Sequence, residues 1–384
     1  MEVTSTVKYI GADDLTLDLF ESQYPIPNGV SYNSYVIFDD AVTVMDTVDQ
    51  RASETWQKNL KEALAGAEPT YLVISHLEPD HAANIGWFAT EYPRAILVCS
   101  AKAKAMLPQF FDMDLTDRLK VVAEGEELSL GSHTLQFFMA PMVHWPEVMV
   151  TYEQSEKTLF SADGFGTFGA LSKDLPWIAE ARRYYTNIVG KYGSPVQQLL
   201  KKAATLDIAR IAPLHGPVLK EDLGYYIEKY QKWSTYSPEE SGILLAYASI
   251  HGNTKKAALA FAKELEEAGE KVETLDLTRV HASYAIEKAF LYDRMILAAC
   301  TYDGGLFPPM EDFINHLKAK ALTGRKVGLI ENGSWGPMAA KKMREQLEAM
   351  KGMDVVQEQV TIRSTRKEAD AGAFHALAEA MKAE

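Results

Sequence analysis

His76-Leu77-Glu78-Pro79-Asp80-His81 decides how this chain is read. Two imidazoles and two carboxylates fall within six residues, directly after the apolar run Tyr71-Leu72-Val73-Ile74, which reads as a buried strand. Pro79 has no amide proton and is expected to block a regular helix across the segment, leaving its side chains on a turn where they can converge. Four potential ligands at the C-terminal end of a strand predict half of a binuclear metal site.

Three more candidates lie downstream in the same kind of place. His144 follows the run Leu135 to Ala140 and sits in Pro141-Met142-Val143-His144-Trp145-Pro146; Asp163 follows Thr158-Leu159-Phe160-Ser161-Ala162. His215 follows Ala209-Arg210-Ile211-Ala212-Pro213-Leu214 and precedes Gly216-Pro217. Loops at strand ends are where rigid scaffolds display chemistry. Any one such residue, taken alone, reads as a turn-former or a satisfied polar group. The set does not: of the five histidines before residue 240, four fall in this pattern. The fifth, His133, stands in a turn with Gly131 and Ser132 and is expected to be a surface turn residue.

Length and composition bound the rest. A chain of 384 residues is too long for one ordinary core, and 47% apolar with 24% charged residues is the balance of a soluble globular protein. No apolar run approaches the roughly 18–20 residues of a membrane helix, and Met1-Glu2-Val3-Thr4 does not open a secretory signal. A cytoplasmic protein that does not act at a membrane is expected. Cys99 and Cys300 are too few for a disulfide framework or a Cys-x-x-Cys metal module. The net charge of −14 argues against general nucleic-acid binding.

The polar stretch Ser234 to Gly242 divides the chain, giving expected domains 1–240 and 241–384. In the first, strands are expected at Tyr35–Ile37, Thr43–Met45, Tyr71–Ile74, Ile96–Val98, Leu135–Phe138, Val148–Val150 and Thr158–Phe160, with a helix over Ala52–Leu64. In the second, strands at Ile243–Ala248, Lys271–Leu277, Arg294–Ala299, Lys326–Ile330 and Asp354–Val360 alternate with amphipathic helices such as Thr254–Ala268 and Met338–Met350. That alternation predicts a parallel, doubly wound sheet.

A second site is predicted on that sheet. Ser249-Ile250-His251-Gly252-Asn253-Thr254 follows its first strand and opens a helix. Hydroxyls, a glycine and a helix N-terminus make a phosphate cradle, although a plain N-cap with a glycine turn has the same look. Neither Gly-x-x-x-x-Gly-Lys-Ser/Thr nor Gly-x-Gly-x-x-Gly occurs there, which argues against nucleoside triphosphates and a dinucleotide. Thr301-Tyr302-Asp303-Gly304-Gly305 and Asn332-Gly333-Ser334-Trp335-Gly336 follow the third and fourth strands, at the end of the sheet where ligands bind. Tyr302 and Trp335 offer aromatic faces to a flat ring. The three loops look like those of a flavodoxin domain holding FMN, which implies Ser249, His251, Asn253 and Thr254 around the phosphate and the other two loops around the isoalloxazine. His251 is not a residue that site requires.

The first half resembles the metallo-β-lactamase fold, an αββα sandwich whose signature is His-x-His-x-Asp-His followed by distant His, Asp and His. Here the second His is Glu78. Carboxylates are harder donors than imidazoles and favour iron or manganese over zinc. Glu78, Asp80 and Asp163 beside four neutral imidazoles stabilise the more oxidised state of a metal pair, which tilts the reading from hydrolysis towards redox chemistry.

The two halves together resemble the flavodiiron proteins along the whole chain. The resemblance implies a non-haem diiron site fed by FMN, reducing dioxygen to water or nitric oxide to nitrous oxide. It implies that His76, Glu78, His144 and Asp163 hold one iron, and that Asp80, His81 and His215 hold the other, with Asp163 bridging; in some members the residue matching His81 is not a ligand. It also implies a head-to-tail homodimer or a dimer of dimers. Many members carry a His in the N-terminal segment that lines the pocket, whereas Phe20 to Gly29 contains none. Tyr24 and Tyr192 are candidates to supply a hydroxyl in its place, against ordinary packing. With two distant cysteines the chain is expected to need an external electron donor: a rubredoxin-type protein, a reduced deazaflavin or a flavin reductase. Two other readings remain at this stage, a binuclear metallohydrolase with an accessory flavodoxin domain and a non-catalytic flavin electron carrier. Seven convergent polar side chains, costly to bury without a task, argue against the carrier.

Overall fold

A computed structural model describes residues 2–383. It divides into two compact units, the first ending at Gln231 and the second beginning at Lys232.

Two sheets share one core in the first unit. The six-stranded sheet runs, in spatial order, Val7–Tyr9, Tyr35–Ile37, Thr43–Met45, Tyr71–Val73, Ile96–Ser100 and Leu119–Val122. The five-stranded sheet runs Glu127–Ser129, Thr134–Met139, Met149–Glu153, Thr158–Phe160 and Arg210–Ala212. Tyr35, Met45, Val73 and Val98 from one pack against Phe137, Met149, Phe160 and Ala212 from the other in a single apolar cluster. Period-2 alternation is the reason: each strand turns every second side chain onto its partner sheet. The helix Ser53–Leu64 buries Trp56, Leu60, Ala63 and Leu64, an i, i+4, i+7, i+8 stripe.

Two local expectations fail. Pro79 does not exclude a helix; it starts one, Pro79–Ala82, with the proline in the first turn. The missing amide proton costs nothing where the helix has no acceptor for it, and the fixed φ suits the first helical position. His133 is not a surface residue. It is buried, and its Nδ1 lies 2.9 Å from Oε1 of the equally buried Glu153.

In the second unit five parallel strands stand in the order Val272–Asp276, Glu240–Ala248, Tyr292–Tyr302, Lys326–Asn332 and Asp354–Ile362. The short strand Gly305–Leu306 adds antiparallel pairing to the end of the third. Both faces are covered. One apolar cluster joins the sheet to Ala285, Phe290, Phe313, Ile314 and Met343 of three helices, and another joins it to Phe261, Leu265, Phe374 and Leu377 of two more. That is why these strands read as continuous apolar runs rather than alternating ones. The predicted doubly wound sheet is present. Among the described residues no helix is long and apolar enough to cross a membrane.

Candidate metal centre and flavin cavity

The first unit brings all seven predicted ligands together in two groups. His76, Glu78, His144 and Asp163 form one and Asp80, His81 and His215 the other, the ligand atoms within each group lying inside 4.8 Å of one another. In the first, His144 Nε2 lies 3.0 Å from Glu78 Oε2 and 3.1 Å from Asp163 Oδ2. His76 Nε2 lies 3.2 Å and 3.4 Å from the same two oxygens. In the second, His81 Nε2 is 3.0 Å from His215 Nε2, and Asp80 Oδ2 is 3.3 Å and 3.2 Å from them. Asp163 serves both: its Oδ1 faces His81 at 3.3 Å while its Oδ2 faces His144 and His76.

These separations test whether cations fit. Donors about 2.1 Å from one metal stand about 3.0 Å apart in an octahedron and about 3.4 Å apart in a tetrahedron. The atoms converge at that spacing, yet they do not satisfy one another. His144 Nε2, both oxygens of Asp80 and Asp163 Oδ1 are buried without a hydrogen-bond partner. Several buried polar atoms left unpaired around one point are costly unless a cation completes them. Three carboxylates supply hard oxygen donors, so the set fits iron better than an all-imidazole site would.

The protein's own electrostatics agree. Burial works to lower the basicity of His144, but the Asp163 and Glu78 carboxylates outweigh it and hold the imidazole at about 9. Burial works to raise Asp163, but the His144 and His81 imidazoles outweigh it and hold the carboxyl well below its ordinary range. The backbone fixes the ligands further. His215 Nδ1 donates to the Ser31 carbonyl at 2.7 Å, and the next residue, Gly216, is held at φ +83°. Ala162, beside Asp163, is held at φ +50°, a left-handed conformation that costs an L-residue roughly 1–2 kcal/mol.

Other residues around the centre escape sequence reasoning. Glu147 Oε1 lies 2.8 Å from His76 Nδ1. Its only sequence signal is a carboxylate three places after His144. Tyr184 is fully buried, and its hydroxyl has no hydrogen-bond partner. Burial, then Asp163, Asp80 and Glu78, hold that phenol well above its ordinary value. It ends the helix Trp177–Tyr184, which runs into the π-helical turn Tyr185–Val189. The histidine-free hairpin contributes Glu21, whose pKa partial desolvation and the Glu78 carboxylate push up to about 7. Neither predicted tyrosine is brought into this group. Tyr24 is buried and donates its hydroxyl to the Asn187 carbonyl at 3.2 Å. Tyr192 is half-buried where the helix Gly193–Ala203 begins, with the Lys191 ammonium 5.9 Å from its ring centre.

In the second unit the three predicted loops line one cavity of about 660 Å³. Ser249, Ile250, His251, Asn253 and Thr254 form one wall, and Thr301 to Gly304 with Asn332 to Trp335 form the others. Gly252, at φ +89°, turns the chain into the helix Asn253–Glu267, and its amide donates to Ser249 Oγ at 3.1 Å. The first-turn amides of that helix have no intrahelical acceptor, which suits a phosphate. Trp335 is 95% exposed and Tyr302 45% exposed, both on this cavity. Two aromatic faces left in water at the rim of an open cavity suit a flat ring that would cover them. Thr301 has a structural task instead: its Oγ1 accepts from the amides of Met338 and Ala339 at 2.8 and 3.1 Å, capping a helix. Ser364, unforeseen, joins the wall by accepting from Asn332 Nδ2 at 2.8 Å.

Residues 30–216 match the profile of the ODP family beta lactamase and residues 245–376 that of flavodoxin. A nitric oxide reductase of Moorella thermoacetica is 28% identical over 91% of this chain and 90% of its own length. The solved structure of rubredoxin oxygen:oxidoreductase from Desulfovibrio gigas superposes with a TM-score of 0.92 at 25% identity, covering 99% of this chain and 97% of that one. The flavodiiron protein of Giardia intestinalis superposes with a TM-score of 0.93 at 24% identity, covering 99% and 96%. The chain belongs to the flavodiiron protein family. Both halves of the flavodiiron architecture are thus present in one chain, the beta-lactamase-like αββα sandwich and the flavodoxin-like sheet, and its cofactors are a non-haem diiron centre and FMN.

Proposed function

We propose that this flavodiiron chain is an oxidoreductase that reduces dioxygen to water, nitric oxide to nitrous oxide, or both. The observation that carries the reading is Asp163, whose two oxygens face two separate ligand groups. His76, Glu78 and His144 would hold one iron, Asp80, His81 and His215 the other, and Asp163 one oxygen to each. Ser249, Asn253 and Thr254 would hold the FMN phosphate, with Tyr302 and Trp335 against its ring. When bound, the two irons supply two electrons and reduced FMN two more, which match the four needed to take dioxygen to water and exceed the two needed to join two nitric oxide molecules as nitrous oxide.

The chain's own residues set the surroundings. Glu78, Asp80 and Asp163 neutralise most of the metal charge and favour its oxidised state. Phe20 stands edge-on to His215 with ring centres 5.3 Å apart, and Trp145 stands edge-on to His76 at 5.3 Å. These rings keep water from the imidazoles. Tyr184 keeps its proton and is available as a hydrogen-bond donor beside the carboxylates. Electrons would come from an external donor, for which a rubredoxin-type protein is the first choice. A head-to-tail homodimer in the cytoplasm completes the proposal.

Anaerobic steady-state turnover tests it, with a chemically reduced rubredoxin as donor and dioxygen or nitric oxide added in turn. Many turnovers per chain on at least one gas are expected. Iron- and FMN-loaded protein that turned over neither gas, or a zinc-loaded protein with hydrolytic activity, would overturn the reading.

A further inference from the structure

Glu147 lies between the ligand His144 and the strand Met149–Glu153, with its carboxylate wholly out of solvent. Its Oε1 takes two hydrogen bonds, from His76 Nδ1 at 2.8 Å and from the backbone amide of Leu77 at 2.9 Å. Its carbonyl is tied in turn, accepting from Ser100 Oγ at 2.8 Å. The Leu77 amide can only donate and a carboxylate can only accept, so the His76 proton must sit on Nδ1. Nε2 is then left bare, facing Glu78 and Asp163 at 3.2 and 3.4 Å.

The other outer contacts in the centre differ. His215 Nδ1 meets a neutral carbonyl, that of Ser31, and His81 Nδ1 is buried with no hydrogen-bond partner. Among these three imidazoles only His76 has a carboxylate behind it. A carboxylate on the outer nitrogen fixes the ring's tautomer and strengthens it as a donor. The loop Val143 to Glu147 therefore delivers a ligand, His144, and also the group that orients a second ligand of the same iron.

We propose, resting on the diiron reading above, that Glu147 is a positioning residue: its negative charge holds His76 as an Nε2 donor and favours the oxidised state of the iron that His76 binds. Glu147→Gln tests this, because glutamine keeps the length and an accepting oxygen while removing the charge. Ferrous iron binding to iron-free protein, measured anaerobically against a competing chelator, should weaken by roughly 10–100-fold at one of the two sites. The potential at which the mixed-valent pair appears by electron paramagnetic resonance should rise, while Glu147→Asp, which keeps the charge, should restore it at least in part. A purely structural role would move neither in the glutamine variant.

If Glu147→Gln does not fold, the unaltered protein decides. Labelled with 15N-histidine and loaded with zinc, it should show a slowly exchanging, downfield Nδ1 proton on His76. An Nε2 proton there, or wild-type iron affinity and potential in a folded Glu147→Gln, would overturn the proposal. Wild-type protein that bound fewer than two metals would count against the diiron reading itself.

Discussion

Gly216 is the position where one methyl group should disable the centre from outside its ligands. It follows His215 at φ +83°, and a Cβ added there would lie 2.2 Å from Thr167 Cγ2. Carbon atoms pack comfortably at about 3.5 Å, so something must move by about 1.3 Å. The glycine is pinned on both sides: its amide donates to Ser31 Oγ at 2.7 Å and its carbonyl accepts from Asn33 Nδ2 at 2.8 Å. Gly216→Ala should then cost about 1–2 kcal/mol for the left-handed alanine and about 1–3 kcal/mol for the overlap, or about 2–5 kcal/mol in all. The displacement falls on His215, so iron should also be lost. Thr167→Ser removes the methyl that collides, leaves the next contacts at 3.5 Å, and retains the hydroxyl that donates to the Phe168 carbonyl at 3.0 Å. The double variant should therefore recover the overlap cost and keep only about 1–2 kcal/mol. Urea unfolding of the iron-free proteins measures the energies, and iron per chain measures the site. A Gly216→Ala protein of wild-type stability with two irons, or a double variant no better than the single one, would refute the reasoning.

Three other outcomes are expected. Asp163→Ala should lose iron and gas reduction while retaining FMN, and the pair Asn253→Ala with Thr254→Ala should lose FMN while retaining iron; flavin absorbance and iron analysis on the same samples read both. Glu78→His exchanges a hard oxygen for an imidazole, so protein loaded from an equimolar mixture of ferrous iron and zinc should move towards zinc. The buried Asp14 carboxyl is held at about 2 against an ordinary 3.8, burial being outweighed by its bonds to Arg51 and Thr16. Its stabilisation is thus complete above pH about 4 and lost as pH falls through about 2. Because Arg51 is half-exposed, Asp14→Asn should cost only about 1–2 kcal/mol at neutral pH, with the difference shrinking in urea melts run at successively lower pH down to 3.

What was legible in the sequence was whatever a short stretch could carry. Tyr35–Ile37, Thr43–Met45 and Thr158–Phe160 stand where their apolar patterns put them. The parallel strands of the second unit start or end within a few residues of expectation, because burial on both faces leaves an unbroken apolar run. Each of the seven candidate ligands follows such a run, so rigid strands could be seen aiming them before any contact was known. The residues that escaped act across long stretches of chain. Glu147 and His76 are 71 positions apart, and no local pattern joins them. Tyr184 looks like any aromatic in a buried helix until the carboxylates near it are placed. His133 was misjudged because its partner Glu153 lies across a hairpin, 20 positions on. Pro79 was misjudged for a local reason: the same missing proton that breaks a helix interior suits its first turn.

The account depends on two irons seated among seven side chains of the first unit with FMN on the second. Metal and flavin analysis of protein purified without oxygen tests that directly. Two irons and one FMN per chain, with the yellow colour bleaching on reduction, are predicted; zinc in place of iron, or iron without flavin, would contradict it.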